Sequence, residues 1–121
     1  SEYSGNIRDL PVVTGGHFIE NSTKKIVFGP DGRFWNDYVM RLFTLEPEAE
    51  SSPLPPLATL FLCIQGEGYF LIDKERVPLE FGTWVHVPGG VRHNFGNTGK
   101  GQLMALCIVP PEGDVNPLNG C

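Results

Sequence analysis

The sequence predicts an all-β sandwich or barrel made of short strands. The chain has 121 residues, and its 15 glycines and 11 prolines fall between short runs that are rich in apolar residues. This spacing is typical of strands joined by tight turns. No stretch keeps a helical period for three turns. We therefore expect one all-β domain over residues 1–121, with an irregular tail rich in Gly, Pro and Asn over about residues 110–121.

Strand candidates follow one another along the chain. The first two are bounded by glycine-rich turns, and the third ends at a Glu-Pro pair. Farther on, two apolar runs flank the polar turn at 73–75, and the last run ends at two consecutive prolines. The predicted strands are 9–13, 24–28, 38–45, 59–65, 68–72, 76–81 and 103–109.

Composition limits the classes of partner. Nine Lys and Arg against 14 Asp and Glu give a net charge of -5, and the charges are scattered without a basic stripe. We therefore expect no nucleic acid and no membrane surface as partner. The absence of a long apolar run and of a signal-peptide pattern favours a cytoplasmic protein. Three widely spaced cysteines indicate free thiols in a reducing compartment.

One stretch carries a specific motif. From residue 82 to 97 the chain follows the pattern G-x5-P-x-G-x2-H-x3-N, with Gly82, Pro88, Gly90, His93 and Asn97 at the fixed places. It predicts a strand, a Pro-Gly-Gly turn and a second strand that carries the histidine just past the turn. The pattern resembles the second motif of the cupin family. The resemblance implies a cupin-type double-stranded β-helix (jelly-roll barrel), a metal-ligating role for the histidine, and a homodimer.

The first motif of that family is not matched. It should supply two histidines and a glutamate before a glycine, and Gly66 is the natural candidate for that glycine. Counting back places the glutamate at Thr59 and the histidines within 52–55, yet residues 51–62 contain no His, Asp, Glu or Cys. A single histidine does not make a tight metal site, because metals require several N, O or S ligands. We therefore expect no metal and no cofactor.

The departure from the family is confined to one block, about residues 48–63. The flanking stretches 38–47 and 66–111 look like an ordinary small bacterial cupin, whereas the block has small or apolar residues in place of ligands. Our hypothesis is that the metal site was rebuilt, by design, into a dry apolar pocket. The rival interpretation is a natural cupin that lost its metal and binds an apolar ligand.

The pocket residues are predicted from strand alternation. Residues two apart share a face of a strand, so Thr59, Phe61 and Cys63 form one set, and Ala105 and Cys107 form another. If Thr59 takes the place of the glutamate, its set faces the barrel interior. Arg41 is a further candidate for the pocket. It lies in the middle of an apolar strand, and it either pairs with an acid or contacts an anionic ligand.

A cysteine and a histidine together suggest hydrolysis. A register that brings Gly66 close to Gly82 places Cys63 opposite His86, at the short distance typical of cross-strand pairs. An imidazole can take the proton of a thiol, and the thiolate can then attack an activated ester. His93 is the other candidate base. Buried cysteine, however, is most often a core residue that only fills space.

The sequence therefore predicts a Cys-His thiol hydrolase that acts on activated esters. The alternative is a metal-free module that binds a small apolar molecule without chemistry. A residual metal-dependent oxygenase or isomerase is the third hypothesis, which the missing ligands disfavour.

Overall fold

The computed structural model describes residues 3–13, 21–29, 37–51 and 57–110. Within these ranges the chain forms eight strands and one turn of 3-10 helix, so the all-β prediction is confirmed. The described part of the chain contains no helix long and apolar enough to cross a membrane. The strands are β1 (Ser22–Phe28), β2 (Val39–Leu45), β3 (Thr59–Gln65), β4 (Gly68–Ile72), β5 (Glu75–Leu79), β6 (Trp84–Val87), β7 (His93–Asn97) and β8 (Leu103–Val109).

The strands make two antiparallel sheets. The larger sheet has the order β1-β2-β8-β3-β6, and the smaller sheet has the order β5-β4-β7. In β3 and β8, buried residues alternate with more exposed ones, because each sheet turns one face to the other sheet and the opposite face outward. The buried face of the larger sheet is called the inner face below, and its opposite is called the outer face.

Aromatic side chains fill the space between the sheets. The ring centroid of Phe61, in the larger sheet, lies 4.8 Å from that of Phe70 and 5.1 Å from that of Phe95, both in the smaller sheet. Phe43 meets Phe95 edge to face at 5.9 Å. Each such pair contributes about 0.5–1.5 kcal/mol beyond the apolar area that it buries. The cluster therefore holds the two sheets together through the middle of the barrel.

Polar contacts connect the end of β2 to β7. The amide of Asn97 donates to the carbonyl oxygens of Leu45 at 3.0 Å and Gly101 at 2.8 Å. Ser51 Oγ accepts from the backbone N–H of Phe95 at 2.9 Å, and the Ser51 N–H donates to the Phe95 carbonyl at 2.8 Å. Because these groups are buried, leaving one of them unbonded would cost about 1–3 kcal/mol.

Two strand predictions require correction. Residues 9–13 are not a strand, because the chain makes a 3-10 turn at Ile7–Asp9 that is capped by the Asn6 side chain. Pro11 lacks the N–H that a paired strand needs, and the next contact with β1 is the Val13 N–H, which donates to Lys24 at 2.8 Å. The strand predicted at 76–81 runs instead over Glu75–Leu79.

The described residues do not test two other predictions. The predicted irregular tail lies outside the described residues from position 111 onward. The single-domain organisation over 1–121 stays a prediction.

Position 66 requires glycine, both because of its backbone conformation and because neighbouring atoms leave no room for a Cβ. Its φ of 88° is a conformation that side chains with a Cβ rarely adopt, and an added Cβ would lie 2.9 Å from Leu103 Cα and still closer to the carbonyl oxygen of Gln102. Gly82 has a similar φ of 90° but open space around it. Substitutions at the two glycines can therefore be compared to separate the cost of backbone strain from the cost of steric overlap.

We expect Gly66→Ala to lower the free energy of unfolding more than Gly82→Ala does. Gly82→Ala should cost about 1–2 kcal/mol, the cost of the left-handed conformation alone, whereas Gly66→Ala should cost roughly 1–3 kcal/mol more because the backbone must shift. Urea unfolding followed by circular dichroism measures both variants. Equal losses would show that the close approach of Gly66 to residues 102 and 103 is absent in solution.

Candidate functional site

The predicted pocket residues share the inner face. Thr59, Phe61 and Cys63 of β3, and Ala105 and Cys107 of β8, are each 2% exposed or less. Their role as the lining of a ligand pocket stays a prediction. Four of them, Phe61, Cys63, Ala105 and Cys107, are packed in the same core cluster as Phe70 and Phe95.

Arg41 is a buried cation on the same face. It is 1% exposed and stands in register with Cys107 of β8, which in turn pairs with Phe61 of β3. The guanidinium therefore belongs to a cross-sheet row whose other members, including Ile26 of β1 and Val85 of β6, carry no charge. Because burial of a charge costs several kcal/mol unless polar groups surround it, this arginine needs polar partners in the barrel.

His93 is held in a defined orientation. It begins β7 in register with Ile72, and its ring lies parallel to the Phe70 ring with centroids 5.8 Å apart. Its Nδ1 is 3.0 Å from the Val91 carbonyl oxygen. Because a carbonyl only accepts, this contact favours the tautomer with the proton on Nδ1. Nε2, which is also buried, then carries the lone pair.

Thr59 lies at the same end of the barrel as His93. It faces Val87 across the β3–β6 pair, and the turn at 88–92 leads from Val87 directly into His93. The Thr59 hydroxyl donates to the Leu57 carbonyl at 3.0 Å. Arg41 is in register, through Cys107 of β8, with Phe61 of β3. Phe61 is two residues after Thr59, so Arg41 and Thr59 are offset by about 7 Å along the strand direction. We call this region the motif end and define it by Arg41, Thr59, His93 and Cys107.

The predicted register between Cys63 and His86 is wrong. The Cys63 N–H donates to the Thr83 carbonyl at 2.9 Å, and the Cys63 carbonyl accepts from the Gly82 N–H at 2.8 Å. His86 pairs with Leu60 instead. The difference from the predicted register is three residues, and an odd shift moves a side chain to the other face. His86 is thus exposed on the outer face, while Cys63 is buried on the inner face, and the two do not form a dyad.

His93, the other candidate base, is also remote from Cys63. Cys63 lies four residues beyond Thr59 on β3, a distance of about 13 Å along an extended strand. Thr59 is at the level where the chain turns into His93, so the thiol and this imidazole lie toward opposite ends of the barrel. Thr59 lies toward the His93 end of the barrel and Cys63 toward the other, with the row of Arg41 between them.

The Cys63 thiol is in a poor environment for a nucleophile. Burial raises its pKa above the ordinary value, and the negative charge of Glu80 raises it further. Its Sγ contacts the Gln65 carbonyl oxygen at 3.6 Å. Because the thiolate is the reactive form, little of it exists here near neutral pH.

The ligand types at the motif end do not fit a divalent metal. Among the described residues, no three His, Cys, Asp or Glu side chains lie close enough together to hold a metal ion. Residues 52–56 lie outside the described ranges, but their sequence is Ser-Pro-Leu-Pro-Pro and offers no imidazole, thiol or carboxylate. His93 is accompanied by a hydroxyl and a guanidinium, and a guanidinium has no acceptor atom with which to bind a cation.

Sequence reasoning missed a second polar cluster, at β4 and β5. The Tyr69 hydroxyl donates to Glu50 Oε2 at 2.6 Å, and the Arg76 guanidinium lies 4.3 Å above the Tyr69 ring. Burial, followed by the bond to Glu50, raises the pKa of Tyr69 to about 12. This phenol therefore stays a neutral donor at physiological pH. Glu50 and Tyr69 are 19 residues apart, and no spacing in the sequence indicates their contact.

We expect Cys63 to be unreactive in the folded protein at neutral pH. A neutral thiol reagent should label it only on unfolding or at pH well above the ordinary thiol range, because the raised pKa keeps the thiol protonated. Mass spectrometry of the labelled wild type, Cys63→Ala and Cys107→Ala assigns each thiol. Rapid labelling at neutral pH that disappears only in Cys63→Ala would contradict the buried position of this side chain.

Comparisons with known proteins agree with this fold. The family model described as a cupin domain matches residues 41–109. A cupin-2 domain from Rhodospirillum rubrum is similar in structure, with a TM-score of 0.74 at 17% identity over 88% of this chain and 73% of that one. No curated protein matches the chain.

Two similar structures carry enzyme names. The polyketide cyclase RemF from Streptomyces resistomycificus has a TM-score of 0.75 at 15% identity, over 88% of this chain and 78% of its own. A predicted oxalate decarboxylase from Thermotoga maritima has a TM-score of 0.73 at 14% identity, over 88% of this chain and 96% of its own. At such identities the likeness shows the fold alone. The match to the family model spans more than half of the sequence, and the chain therefore belongs to the cupin family.

Proposed function

We propose that this chain is a metal-independent binding module that takes a small organic molecule at the motif end. The molecule has an apolar body and one anionic group, such as a carboxylate. The observation that carries the proposal is the buried guanidinium of Arg41 on the inner face of a barrel whose core is mainly aromatic and aliphatic. A buried guanidinium beside apolar side chains is an arrangement that can recognise a small organic anion.

The side chains of the motif end have complementary roles in this proposal. Arg41 offers five N–H donors in a planar fork, so that it can bond a carboxylate while keeping contacts with the protein. The buried Nε2 of His93 and the Thr59 hydroxyl supply polar groups at the same end. The rings of Phe61 and Phe70 supply the apolar wall. One of the similar structures is named for oxalate, a small carboxylate, which agrees with this ligand class.

The thiol hydrolase and the engineered origin stay predictions. The observed register supports binding over ester hydrolysis, because His86 lies on the other face of the sheet from Cys63. The block at 48–63 is compatible with both a designed exchange and a natural loss of the ligands. Binding of an organic anion depends on neither origin.

We expect benzoate to bind the wild type and to lose about 10- to 100-fold in affinity in Arg41→Met, the change expected for one charge-assisted hydrogen-bonded pair. Methionine keeps a long apolar stem but removes the charge. Arg41→Lys keeps the charge but lacks the planar fork of N–H donors, so its affinity for benzoate should lie between those of the wild type and Arg41→Met. Isothermal titration calorimetry with benzoate, and with neutral benzamide as matched ligand, measures these differences.

Arg76→Met is the control variant, since Arg76 is exposed and lies over Tyr69, and it should leave benzoate binding unchanged. Circular dichroism verifies that each variant is folded. The proposal is wrong if the wild type binds no carboxylate, if benzamide binds as well as benzoate, or if Arg41→Met binds benzoate like the wild type. A stoichiometric burst with an activated aryl ester that is lost only in Cys63→Ala would favour the hydrolase.

A further inference from the structure

The described side chains at the centre of the inner face are shielded from solvent. Arg41 is 1% exposed, and its register partner Cys107 is 0% exposed. A small molecule that reaches this face must therefore enter through a part of the barrel that opens. Parts of a fold that open locally are those held by few hydrogen bonds and few buried apolar contacts. The structure contains such a part beside β7.

Residues 49–51 lie along the edge of β7 that faces away from β4, and we call them the cover segment. The Asn97 N–H donates to the Ala49 carbonyl at 2.9 Å, and the Ser51 N–H donates to the Phe95 carbonyl at 2.8 Å. Ser51 Oγ accepts from the Phe95 N–H at 2.9 Å. Ala49 is the one member of the segment that belongs to the hydrophobic core cluster. The cover segment is therefore held by few contacts of its own.

A tyrosine connects the cover segment to β4 across β7. Tyr69 of β4 is the register partner of Gly96 of β7, and Gly96 in turn forms an antiparallel bridge with Glu50. The Tyr69 hydroxyl donates to Glu50 Oε2 at 2.6 Å, a short bond of the strong kind that carboxylates accept. A Cβ at position 96 would lie 2.6 Å from this hydroxyl and 2.7 Å from two ring carbons. The tyrosine side chain therefore passes directly over the glycine to reach the segment.

The cover segment lies beside the aromatic cluster of the barrel. It bonds to both backbone groups of Phe95, and the Phe95 ring centroid lies 5.1 Å from that of Phe61. Phe61 is the register partner of Cys107, which pairs with Arg41. Movement of the segment away from β7 therefore uncovers the barrel next to Phe95, on the way to the row of Arg41.

We propose that the cover segment is a gate into the barrel and that the hydrogen bond from Tyr69 to Glu50 is the latch that keeps it closed. Opening breaks this bond and the three hydrogen bonds to Phe95 and Asn97, and it leaves the eight strands paired. Glu50 is exposed, so water replaces the phenol as its partner while the gate is open. The gate serves any small molecule that binds the inner face, and it does not depend on the proposed anionic ligand.

We expect the gate of the wild type to open without unfolding of the barrel. The backbone N–H groups of Ser51, Phe95 and Asn97 should exchange with deuterium faster than those between β3 and β8, at rates that hardly change with low urea concentrations. Tyr69→Phe keeps the ring but removes the donor, so it should accelerate these three groups about 10- to 100-fold. Glu50→Gln keeps an acceptor without the charge and should accelerate them less. Hydrogen exchange followed by NMR measures all three proteins.

Labelling of Cys107 tests whether the open gate leads to the inner face. A small neutral thiol reagent should label Cys107 slowly in the wild type and about 10- to 100-fold faster in Tyr69→Phe, because labelling follows the population of the open state. Mass spectrometry of the peptides assigns the label. Glu48→Gln is the matched control, since Glu48 is an exposed carboxylate two residues before Glu50. It should change neither the exchange nor the labelling.

Three results would overturn the proposal. Exchange of the three N–H groups at the rate and with the urea dependence of the β3–β8 pair would show that the cover segment leaves β7 only on global unfolding. Unchanged exchange in Tyr69→Phe would show that the tyrosine is not the latch. Faster exchange without faster labelling of Cys107 would show that the opening does not reach the inner face. None of these measurements involves benzoate, so their outcome is separate from that of the proposed function.

Discussion

The pairing of Cys63 with Thr83 is the constraint on which both faces of the larger sheet depend. Once the Cys63 N–H bonds to the Thr83 carbonyl, alternation decides the direction of every side chain on β3 and β6. Thr59, Phe61 and Val87 then enter the barrel. The leucines of β3 and the indole of β6 face outward. A slip of one residue would reverse the two sets and place an indole in the core.

Much of this fold could be predicted from the sequence, because alternation and turn residues are local signals. Period two grouped the residues that share a face on β3 and on β8, and the cupin resemblance then indicated that the β3 set faces the barrel interior. The register between β3 and β6 did not, because the prediction aligned the two glycines Gly66 and Gly82. The sequence Trp-Val-His-Val of β6 carried a better signal, since its valines are buried and His86 is not. The predicted strand at 9–13 failed because its apolar residues do not reveal whether a neighbouring strand has room to pair with them.

The candidate site was only partly accessible to sequence reasoning. The cupin motif located His93, and the absence of acids, cysteines and histidines in 51–62 removed the usual ligand set. The position of Arg41 relative to Thr59 could not be predicted without the strand order, since β2 reaches β3 only through β8. In our interpretation a permanent guanidinium charge acts at this end of the barrel, where the family resemblance implies a metal ion. A cation fixed by covalent attachment attracts anions without depending on metal supply.

Metal retention tests this interpretation most directly. The purified protein is dialysed against Mn²⁺, Fe²⁺, Ni²⁺ and Zn²⁺ in turn, then against buffer without metal, and its metal content is measured by elemental analysis beside that of His93→Ala. We expect no stoichiometric retention of any of these ions, and the same result for both proteins, since one imidazole binds a divalent ion only weakly. One ion retained per chain in the wild type and lost in His93→Ala would contradict a metal-independent site.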